Sequence, residues 1–478
     1  MSRIGLVTLA DRSPSALSER RGDWIGDRHR VMTILLRDEG HEVVSPSLAE
    51  SLASADDVPE IVKQMDPPSL DALVMLIPHW ADPRVAAEMV HALDLPTALF
   101  AEDDPDWGGA QGMLRCSEAV RAAAGKWGRL APRFIGQHDE LLSWVRAMAV
   151  RGEVRRGAVL LWGGPRAGDE DRVTVFRGRT VGEIYAEDLA KLNTRADELE
   201  GKRHAKGMIK WMVKSGLEIN HDREIFTPDI WSHQIAQLDA ARERLAEIGG
   251  GHRILAVSVN GHRPDSPGPE ETFGPLLAML PFGEGPEGPT PVVPTTGDGD
   301  VSTLLGAAML GRLGLRRPPL FGDIAHVSEG AVIVSHPGGM ALWWAAQEHD
   351  PTRAFRRVTV QPECLGKRGG SWGYLGIEMD TVTCVQVGQR AGAPAVAVGL
   401  ARPQLLRAAD RQGITWGAPW PVVKMGGNFE PRAFAERAVS DHLLALPGVW
   451  VNEVIAWAEA EGFDVLELGP FTPWAPRR

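Results

Sequence analysis

Cysteine is scarce in this sequence: only Cys116, Cys364 and Cys384 occur among its 478 residues. Three cysteines at such wide spacing exclude a disulfide scaffold and a zinc site built from thiolates. So little cysteine is typical of a protein from a reducing compartment, and we therefore expect a cytoplasmic protein.

Long apolar runs and an excess of positive charge are missing as well. No stretch approaches the length needed to span a bilayer. The opening segment MSRIGLVTLADRSP enters a strand pattern directly and lacks the cationic and apolar regions of a signal peptide. A formal net charge of -12 argues against a protein that wraps nucleic acid through its phosphates. The sequence therefore predicts neither a membrane partner nor a nucleic-acid partner.

What is present is an alternation of strands and helices. The apolar run over residues 3–9 is followed by an amphipathic segment that ends at Gly40, and HEVVSP follows as a second strand. The same order returns in LDALVMLIPHW, PRVAAEMVHAL and PTALF. Alternation of this kind predicts a parallel sheet covered by helices. No G-x-G-x-x-G follows the first strand, so no cofactor-binding residues for a dinucleotide are predicted.

A second alternating unit begins at AVLLWGGPRAGDE and ends in an irregular connection. A charged helical region is predicted over 182–214, and the next helix is predicted to stop at Gly249 to Gly251. The strand RILAVSVNG follows, and residues 261–291 are rich in Pro and Gly. After about residue 345 the sequence changes to short β-rich segments separated by turns, which predict a small barrel or sandwich.

The predicted fold class is therefore α/β, with two consecutive parallel-sheet α/β domains followed by a β-rich, barrel-like C-terminal domain. Residues 1–152 are expected to form a flavodoxin-like or Rossmann-like domain. Residues 153–342 are expected to form a second α/β domain that carries the acidic metal ligands, and residues 343–478 the β-rich domain.

Four polar residues stand at the ends of apolar segments, where α/β proteins place their chemistry. Asp298 precedes an apolar helix in TTGDGDVSTLLGAAML, and Asp323 follows the strand-like PLF. His336 ends the strand AVIVS, and His442 is embedded in a strand near the end of the chain. Two carboxylates and two imidazoles suit Mn²⁺, Fe²⁺, Co²⁺ or Zn²⁺, and a set without thiolate is typical of a catalytic metal site.

Each of these residues also has an ordinary structural interpretation. Asp298, Asp300 or Asp323 could cap a helix or a turn, and a single His336 or His442 could be a hydrogen-bonded core histidine. Trp80, Trp162 and Trp372 could stack on sugar rings, but core packing is the better default for each tryptophan. The glycines of LLWGGPRAGDE could cradle a phosphate, although the Walker lysine pattern is missing.

The order of the four residues resembles the L-fucose/L-arabinose isomerase family, whose members interconvert aldoses and ketoses with a divalent cation. Asp298-Gly299-Asp300 before VSTLLGAAML is similar to the family's acidic residue, spacer and aspartate before an apolar helix. LFGDI with Asp323 and VIVSHPGG with His336 are similar to its next two strands, and His442 to its late histidine. ALVMLIPHWADPRVAAEMVHALDLP looks like its first-domain strand and helix, which makes Trp80 a substrate-side candidate.

The resemblance implies a metal-dependent aldose–ketose isomerase that works through an enediol intermediate. Asp298, Asp323, His336 and His442 would be metal ligands, with Mn²⁺ first and Co²⁺, Fe²⁺ or Zn²⁺ as alternatives. Asp298 and Asp323 would exchange protons with the substrate, and His336 could instead hydrogen-bond to it. Asp300 is a second substrate-side candidate, and its other expected role is to orient the loop. A sugar or sugar-like substrate and a homo-oligomer, a trimer or a hexamer, are also implied.

One departure from the family pattern keeps other functions open. The first acidic ligand of the family is normally glutamate, and the missing methylene group of Asp298 retracts the carboxylate by roughly 1.5 Å. One alternative is a metal-dependent epimerase or lyase that acts on a modified sugar. The other is a catalytically silent sugar-binding relative.

Overall fold

The computed structural model describes residues 2–11, 18–104, 106–123, 125–200, 203–248, 253–261, 271–363, 367–406 and 420–469. Cys364 and the predicted glycine stop at Gly249 to Gly251 lie outside the described residues. Two compact units account for the chain. The first comprises residues up to Glu153 together with residues 452–462, and the second comprises Val154–Val451 and the described residues from Phe463 onward.

The first unit is built on a five-stranded parallel sheet with the order β2-β1-β3-β4-β5. This is one of the two common orders of doubly wound α/β sheets. The strands β1, β3 and β4 are almost wholly buried, as expected when helices cover both faces. Its strands are β1 (Arg3–Thr8), β2 (Glu42–Val44), β3 (Ala72–Leu76), β4 (Thr97–Ala101) and β5 (Arg133–Ile135). Its first helices are α1 (Ser18–Asp38), α2 (Val58–Met65), α3 (Pro83–Leu93), α4 (Gly109–Ala123), α5 (Lys126–Leu130) and α6 (His138–Arg156), with 3-10 helices at Ser47–Ser51, Ala55–Asp57 and Pro67–Ser69.

The second unit opens with a four-stranded parallel sheet of order β12-β9-β6-β7. The elements from β6 to α12 are β6 (Ala158–Trp162), α7 (Glu170–Phe176), β7 (Glu183–Glu187), α8 (Leu189–Leu199), α9 (Arg203–Lys214), β8 (Glu218–Ile219), α10 (Pro228–Ile248), β9 (Ile254–Val259), α11 (Gly274–Met279), β10 (Glu284–Gly285), β11 (Gly288–Pro289), β12 (Thr295–Gly297) and α12 (Val301–Gly314). Residues 182–214 are predicted to be helical, but they begin with strand β7, an edge strand of this sheet. The described part of the predicted irregular connection, 271–291, contains helix α11 and the hairpin β10–β11.

The later strands form a seven-stranded, mostly antiparallel sheet of order β17-β20-β13-β14-β19-β18-β21. Because β17 also pairs with β18, six of these strands form a continuous ring of pairings. The remaining elements are β13 (Leu320–Ser328), β14 (Ala331–Ser335), a 3-10 helix (Leu342–Ala345), α13 (Pro351–Phe355), β15 (Thr359–Pro362), β16 (Gly370–Gly373), β17 (Val382–Arg390), β18 (Ala393–Gln404), β19 (Val422–Gly426), α14 (Pro431–Arg437), β20 (His442–Pro447), α15 (Val451–Glu461) and β21 (Asp464–Glu467).

The chain as a whole is thus a mixed α/β protein with two parallel sheets and one mostly antiparallel sheet, in agreement with the predicted class. The predicted boundaries at residues 153 and 343 stay a prediction. Strands β13 and β14 precede residue 343, yet they hydrogen-bond to β20 and β19, which follow it. No described helix has both the length and the apolar character that crossing a membrane requires.

Two of the tryptophans considered as sugar-stacking residues lie in the core of the second unit. Trp162 and Trp372 are 1% and 0% exposed, and both belong to one large apolar cluster. Neither ring can stack on a sugar from solvent, so core packing, the default for a single tryptophan, holds for both.

Candidate metal centre

Asp298 lies in a tight loop between the end of β12 and the start of α12. It adopts a left-handed backbone conformation with φ of 63°, and Gly299 follows with φ of 69°. The loop is tied to the neighbouring strand β9, because the Asp298 amide donates to the Val259 carbonyl and the Gly299 amide to Ser258 Oγ. A Cβ atom at Gly299 would lie 2.6 Å from the Gly164 carbonyl oxygen, so only glycine fits.

Asp300 is buried beneath this loop and has four hydrogen-bonding donors around its carboxylate. As the N-cap of α12, it accepts hydrogen bonds from the Ser302 and Thr303 amides and from Thr303 Oγ1. Its Oδ2 also lies 2.9 Å from His442 Nδ1. Both carboxylate oxygens are therefore engaged within the protein. These contacts favour the orienting role that the sequence suggested for Asp300 over contact with a substrate.

Asp323 and His442 are cross-strand neighbours in the antiparallel sheet. Asp323 is paired with His442 across β13 and β20, and with Ser335 across β13 and β14. The sequence predicts that Asp323 directly follows a strand, but β13 continues through it to Ser328. His442 Nε2 lies 3.5 Å from Asp323 Oδ1 and 3.4 Å from Asp298 Oδ2. The side chain of His442 is 1% exposed, whereas those of Asp298 and Asp323 keep 26% and 29% of their surface open.

His336 lies beside this group, directly after β14. Its Nε2 is 3.8 Å from Asp298 Oδ2, and its ring is buried with no hydrogen-bond partner for either nitrogen. The Phe321 ring contacts both imidazoles, with centroid distances of 4.9 Å to His336 and 5.0 Å to His442. A Cβ atom at position 297 would lie 2.6 Å from His336 Nε2, so the glycine there makes room for the imidazole.

The charges in the site perturb one another strongly. Burial alone would lower the pKa of His442, but its contacts with Asp298 and Asp300 outweigh burial and raise that pKa from 6.5 to about 10. Burial alone would raise the pKa of Asp300, but the hydrogen bonds from His442 and Thr303 hold it at about 2. Burial raises the pKa of Asp323, and the carboxylate of Asp298 adds to that increase against the opposing effect of the two histidines.

A second layer of charged residues surrounds the site and was not predicted from the sequence. Arg166, in the loop after β6, contacts both carboxylate oxygens of Asp441 at 3.1 and 3.2 Å. Its backbone amide donates to the Gly299 carbonyl, which fastens the two loops together. Arg172 contacts Asp169 at 3.1 Å and Ser302 Oγ at 3.3 Å. No local sequence pattern predicts that GGPRAG lies near the loop that carries Asp298, because this proximity depends on which strands become neighbours.

The suggested phosphate cradle in GGPRAG is not supported by these contacts. The amides of Gly163, Arg166, Gly168 and Asp169 all donate to acceptors within the protein. Few amides of the loop are left to bind an anion, so its glycines serve the turn and the close approach to Gly299.

The structure brings together three of the four predicted metal ligands. Asp298, Asp323 and His442 each offer one ligand atom, and these atoms all lie within 4.8 Å of one another. His336 adjoins Asp298 but is not part of that group. Trp80 belongs to the first unit, where it is 44% exposed and lies 4.1 Å beneath the guanidinium of Arg115. Asp300, Asp441 and His442 form an overlapping group on the other side of the imidazole, and Asp197, Glu200 and His233 form a more exposed one elsewhere.

The residues fit a divalent cation for three reasons. The donor set is oxygen and imidazole nitrogen, which Mn²⁺, Fe²⁺, Co²⁺ and Zn²⁺ all accept. His442 Nδ1 is bound to a carboxylate, which directs Nε2 to the site in the arrangement common among metal-binding histidines. His336, buried and without a hydrogen-bond partner, is the kind of polar group that a further ligand would satisfy. These clusters could therefore hold a metal ion, and its identity is open.

Comparisons with known proteins add no family to this description. The chain matches no protein-family model, and no curated protein is significantly similar to it. The resemblance to sugar isomerases therefore rests on the short motifs around Asp298, Asp323, His336 and His442.

Proposed function

We propose that this protein is a metal-dependent isomerase of aldose and ketose sugars that works through an enediol intermediate. The observation that carries the proposal is the convergence of Asp298, Asp323 and His442 from three separate segments of the chain. The sequence alone predicts each of these residues as a metal ligand. A barrel-like arrangement of the β-rich strands, a sugar-like substrate and a homo-oligomer are part of the same proposal.

The metal would be held by Asp298, Asp323 and Nε2 of His442, with His336 as a further predicted ligand. When bound, the ion would supply a Lewis acid that polarises the carbonyl of the substrate. Asp300 would hold the proton of His442 on Nδ1 and keep Nε2 directed toward the two carboxylates. The partial exposure of Asp298 and Asp323 would give a small molecule access to both carboxylates.

Asp298 and Asp323 would divide the proton transfers between them. Asp298 would take the proton from the carbon next to the carbonyl, while the carbonyl oxygen gains a proton, which gives the enediol. Return of a proton to the other carbon, with loss of one from the second oxygen, completes the interconversion. The role of acid would fall to Asp323, because burial raises the pKa of its carboxyl group.

The decisive experiment is hydrogen exchange in D₂O. The protein loaded with Mn²⁺ would be incubated with a panel of aldoses, ketoses and their modified forms, and the products followed by NMR. We expect deuterium at the carbon next to the carbonyl, together with the isomeric sugar. A protein that binds Mn²⁺ and yet catalyses no exchange into any sugar would contradict the proposal.

The same spectra separate the alternatives that share this chemistry. An epimerase would return the starting sugar type with inverted stereochemistry and deuterium, and a lyase would release two smaller fragments. Asp323→Asn is the variant that tests the site, because it removes one proposed ligand and acid while changing the side-chain volume little. Exchange that continues unchanged in Asp323→Asn would remove this site from the reaction.

A further inference from the structure

A cluster of four polar side chains lies outside the candidate metal centre: Asn193, Gln237, Glu271 and Arg368. Asn193 is on α8 and Gln237 on α10, whereas Glu271 precedes α11 and Arg368 precedes β16. Glu271 and Arg368 form an isolated β-bridge, and the Thr272 amide donates to the Arg368 carbonyl. Four separate segments of the chain therefore meet around the carboxylate of Glu271.

The backbone of Glu271 lies at the same sheet edge as Asp298. A Cβ atom at Gly261 would lie 3.1 Å from the Glu271 carbonyl oxygen. Gly261 follows Val259 by two residues, a span of at most roughly 7 Å. The Val259 carbonyl in turn accepts the amide hydrogen of Asp298. Both residues therefore lie at the carboxyl ends of the paired strands β9 and β12, the edge at which open α/β sheets bind ligands.

A second set of contacts connects the segment of Glu271 to His336. Thr272 is the next residue along the chain, and its Cβ would lie 3.3 Å from a Cβ atom at Gly338. Gly338 follows His336 by two residues, and its carbonyl accepts a 2.9 Å hydrogen bond from the Trp372 amide. The segment thus adjoins both the loop that carries Asp298 and the loop that carries His336.

A buried amide holds the Glu271 side chain in place. Gln237 is 0% exposed, and its Nε2 lies 3.0 Å from Asn193 Oδ1 and 3.4 Å from Glu271 Oε2. This orientation leaves Gln237 Oε1 without a hydrogen-bond partner among the described residues. A buried acceptor without a partner lowers stability and calls for an explanation. Orientation of the Glu271 carboxylate supplies one.

The Glu271 carboxylate is accessible, and its described contacts are long. Its side chain keeps 26% of its surface open, and that of Arg368 keeps 48%. Arg368 Nη1 lies 3.8 Å from Glu271 Oε1, so the two groups are near each other without a short hydrogen bond. A hydroxyl group binds a carboxylate at about 2.7 Å. Because a carboxylate accepts and a guanidinium donates, the pair suits hydroxyl groups in both of their roles.

We propose that Glu271 and Arg368 bind the hydroxyl groups of the substrate that lie farthest from its carbonyl group. This inference rests on the proposed function for the identity of the substrate as a sugar. A chain of five or six carbons with a hydrogen bond at its far end spans roughly 10 Å, enough to extend from one strand end to its neighbour. Because a site built to bind a hydroxyl group rejects analogues that lack it, the pair determines which sugars are accepted.

Sugar alcohols test this inference without a reaction, because they keep the hydroxyl groups and lack the carbonyl. Sorbitol, mannitol, xylitol and ribitol would be titrated into the metal-free protein and followed by saturation-transfer NMR. Ethane-1,2-diol is the short compound that lacks the distant hydroxyl groups. We expect at least one sugar alcohol to bind at one site per chain, and the diol to bind at least about tenfold more weakly.

Variants of Glu271 locate that binding. Glu271→Gln should weaken the sugar alcohol by about tenfold, because it replaces a charged acceptor with a neutral one, and Glu271→Ala should weaken it further. Glu348→Gln is the matched control, because Glu348 also belongs to a partly exposed ion pair, 2.9 Å from Arg353. Unchanged affinity in Glu271→Gln, an equal loss in Glu348→Gln, or no binding of any sugar alcohol to the wild type would overturn the inference.

This inference and the proposed function fail in different experiments. If no sugar exchanges hydrogen in D₂O while sugar-alcohol binding still depends on Glu271, the isomerase is wrong and the hydroxyl-binding site remains. For a sugar that does react, Glu271→Gln should raise KM by about tenfold or more and change kcat less. If that variant leaves KM and the choice among sugars unchanged, the isomerase remains and the role of Glu271 is wrong.

Discussion

Asp323 and His442 face each other as direct partners across strands β13 and β20, and Asp323 Oδ1 lies 3.5 Å from His442 Nε2. This register sets the candidate site, because it fixes two of its ligands on a rigid sheet. The third, Asp298, reaches the same point from a loop that is tethered to β9. Backbone hydrogen bonds of the sheet and of the loop hold this geometry.

Asp323→Asn should abolish tight metal binding while preserving the fold. Loss of a proposed ligand should reduce the affinity for Mn²⁺ by at least about 100-fold, more than the loss of an outer partner does. The metal-free variant should be as stable as the wild type or more so, because it removes the cost of burying the Asp323 carboxylate, the main cause of its raised pKa. Calorimetric titration and the Mn²⁺-induced rise in melting temperature measure both effects.

Asp441→Asn is the control for that experiment. Asp441 belongs to the overlapping group around His442 Nδ1, its side chain is 65% exposed, and it contacts Arg166. If the ion lies between Asp298, Asp323 and His442, Asp441→Asn should change the affinity only a few-fold, by roughly 1 kcal/mol or less. A large loss in Asp441→Asn with little change in Asp323→Asn would place the ion on the other side of the imidazole.

The sequence predicts these ligands because each one stands at the end of an apolar segment or within one. Asp298, Asp323, His336 and His442 all stand out against buried neighbours, and the strands and helices around them follow from hydrophobic periodicity. Strand β7 was missed because its polar, half-exposed residues give no apolar run at the edge of the sheet.

Which strands become neighbours could not be predicted, because strand pairing depends on contacts between distant segments. Nothing local in β13 or β14 indicates that they pair with β20 and β19. The same applies to the Phe321 ring between the two imidazoles and to the approach of Arg166 to the acidic loop. The types of ligand in the site could thus be predicted from single residues, whereas the contacts that surround those ligands could not.

Metal binding should release a proton and strengthen as pH rises. Because the pKa of His442 is about 10 without metal, its imidazole is protonated at neutral pH and must lose that proton before Nε2 can bind an ion. Between pH 7 and 9 the apparent affinity for Mn²⁺ should rise by about tenfold per pH unit. Titration calorimetry in buffers of different ionisation enthalpy should report about one released proton. An affinity independent of pH would contradict this expectation.

The stability of the metal-free protein provides the complementary measurement. His442 has a raised pKa, so its contribution to the free energy of unfolding is complete below pH 6.5 and is lost as pH rises toward about 10. Asp300 has a lowered pKa, so its contribution is complete above pH 3.8 and is lost as pH falls toward about 2. The free energy of unfolding should therefore fall from pH 6.5 to pH 10 in the wild type. A stability that rises over this interval would contradict the assigned ion pair.

Asp300→Asn should impair metal binding through the tautomer of His442. Asparagine is as good an N-cap as aspartate, so α12 should lose little stability. The new amide group, however, donates where the carboxylate accepted, which moves the imidazole proton from Nδ1 to Nε2. With Nε2 protonated, the affinity for Mn²⁺ should fall by about 10- to 100-fold. Nitrogen NMR of the metal-free protein above pH 10, where the imidazole is neutral, reads the tautomer independently of metal binding.

Asp350→Asn makes the same chemical change at a helix N-cap for which the described hydrogen bonds include no histidine. Asp350 accepts hydrogen bonds from the Thr352 and Arg353 amides at the start of α13. Its replacement should leave the affinity for Mn²⁺ unchanged. Equal effects of the two variants would show that capping alone matters, and would remove the orienting role of Asp300.

Asp298→Glu, which introduces the residue that is normal in the family the sequence resembles, should weaken the site. The extra methylene group moves the carboxylate by roughly 1.5 Å from a position where Oδ2 is already 3.4 Å from His442 Nε2. The backbone at position 298 is left-handed with φ of 63°, which short aspartate and asparagine tolerate better than glutamate does. We therefore expect a lower melting temperature and about tenfold weaker Mn²⁺ binding. Tighter binding and faster turnover in Asp298→Glu would instead mean that the aspartate limits an otherwise conventional isomerase.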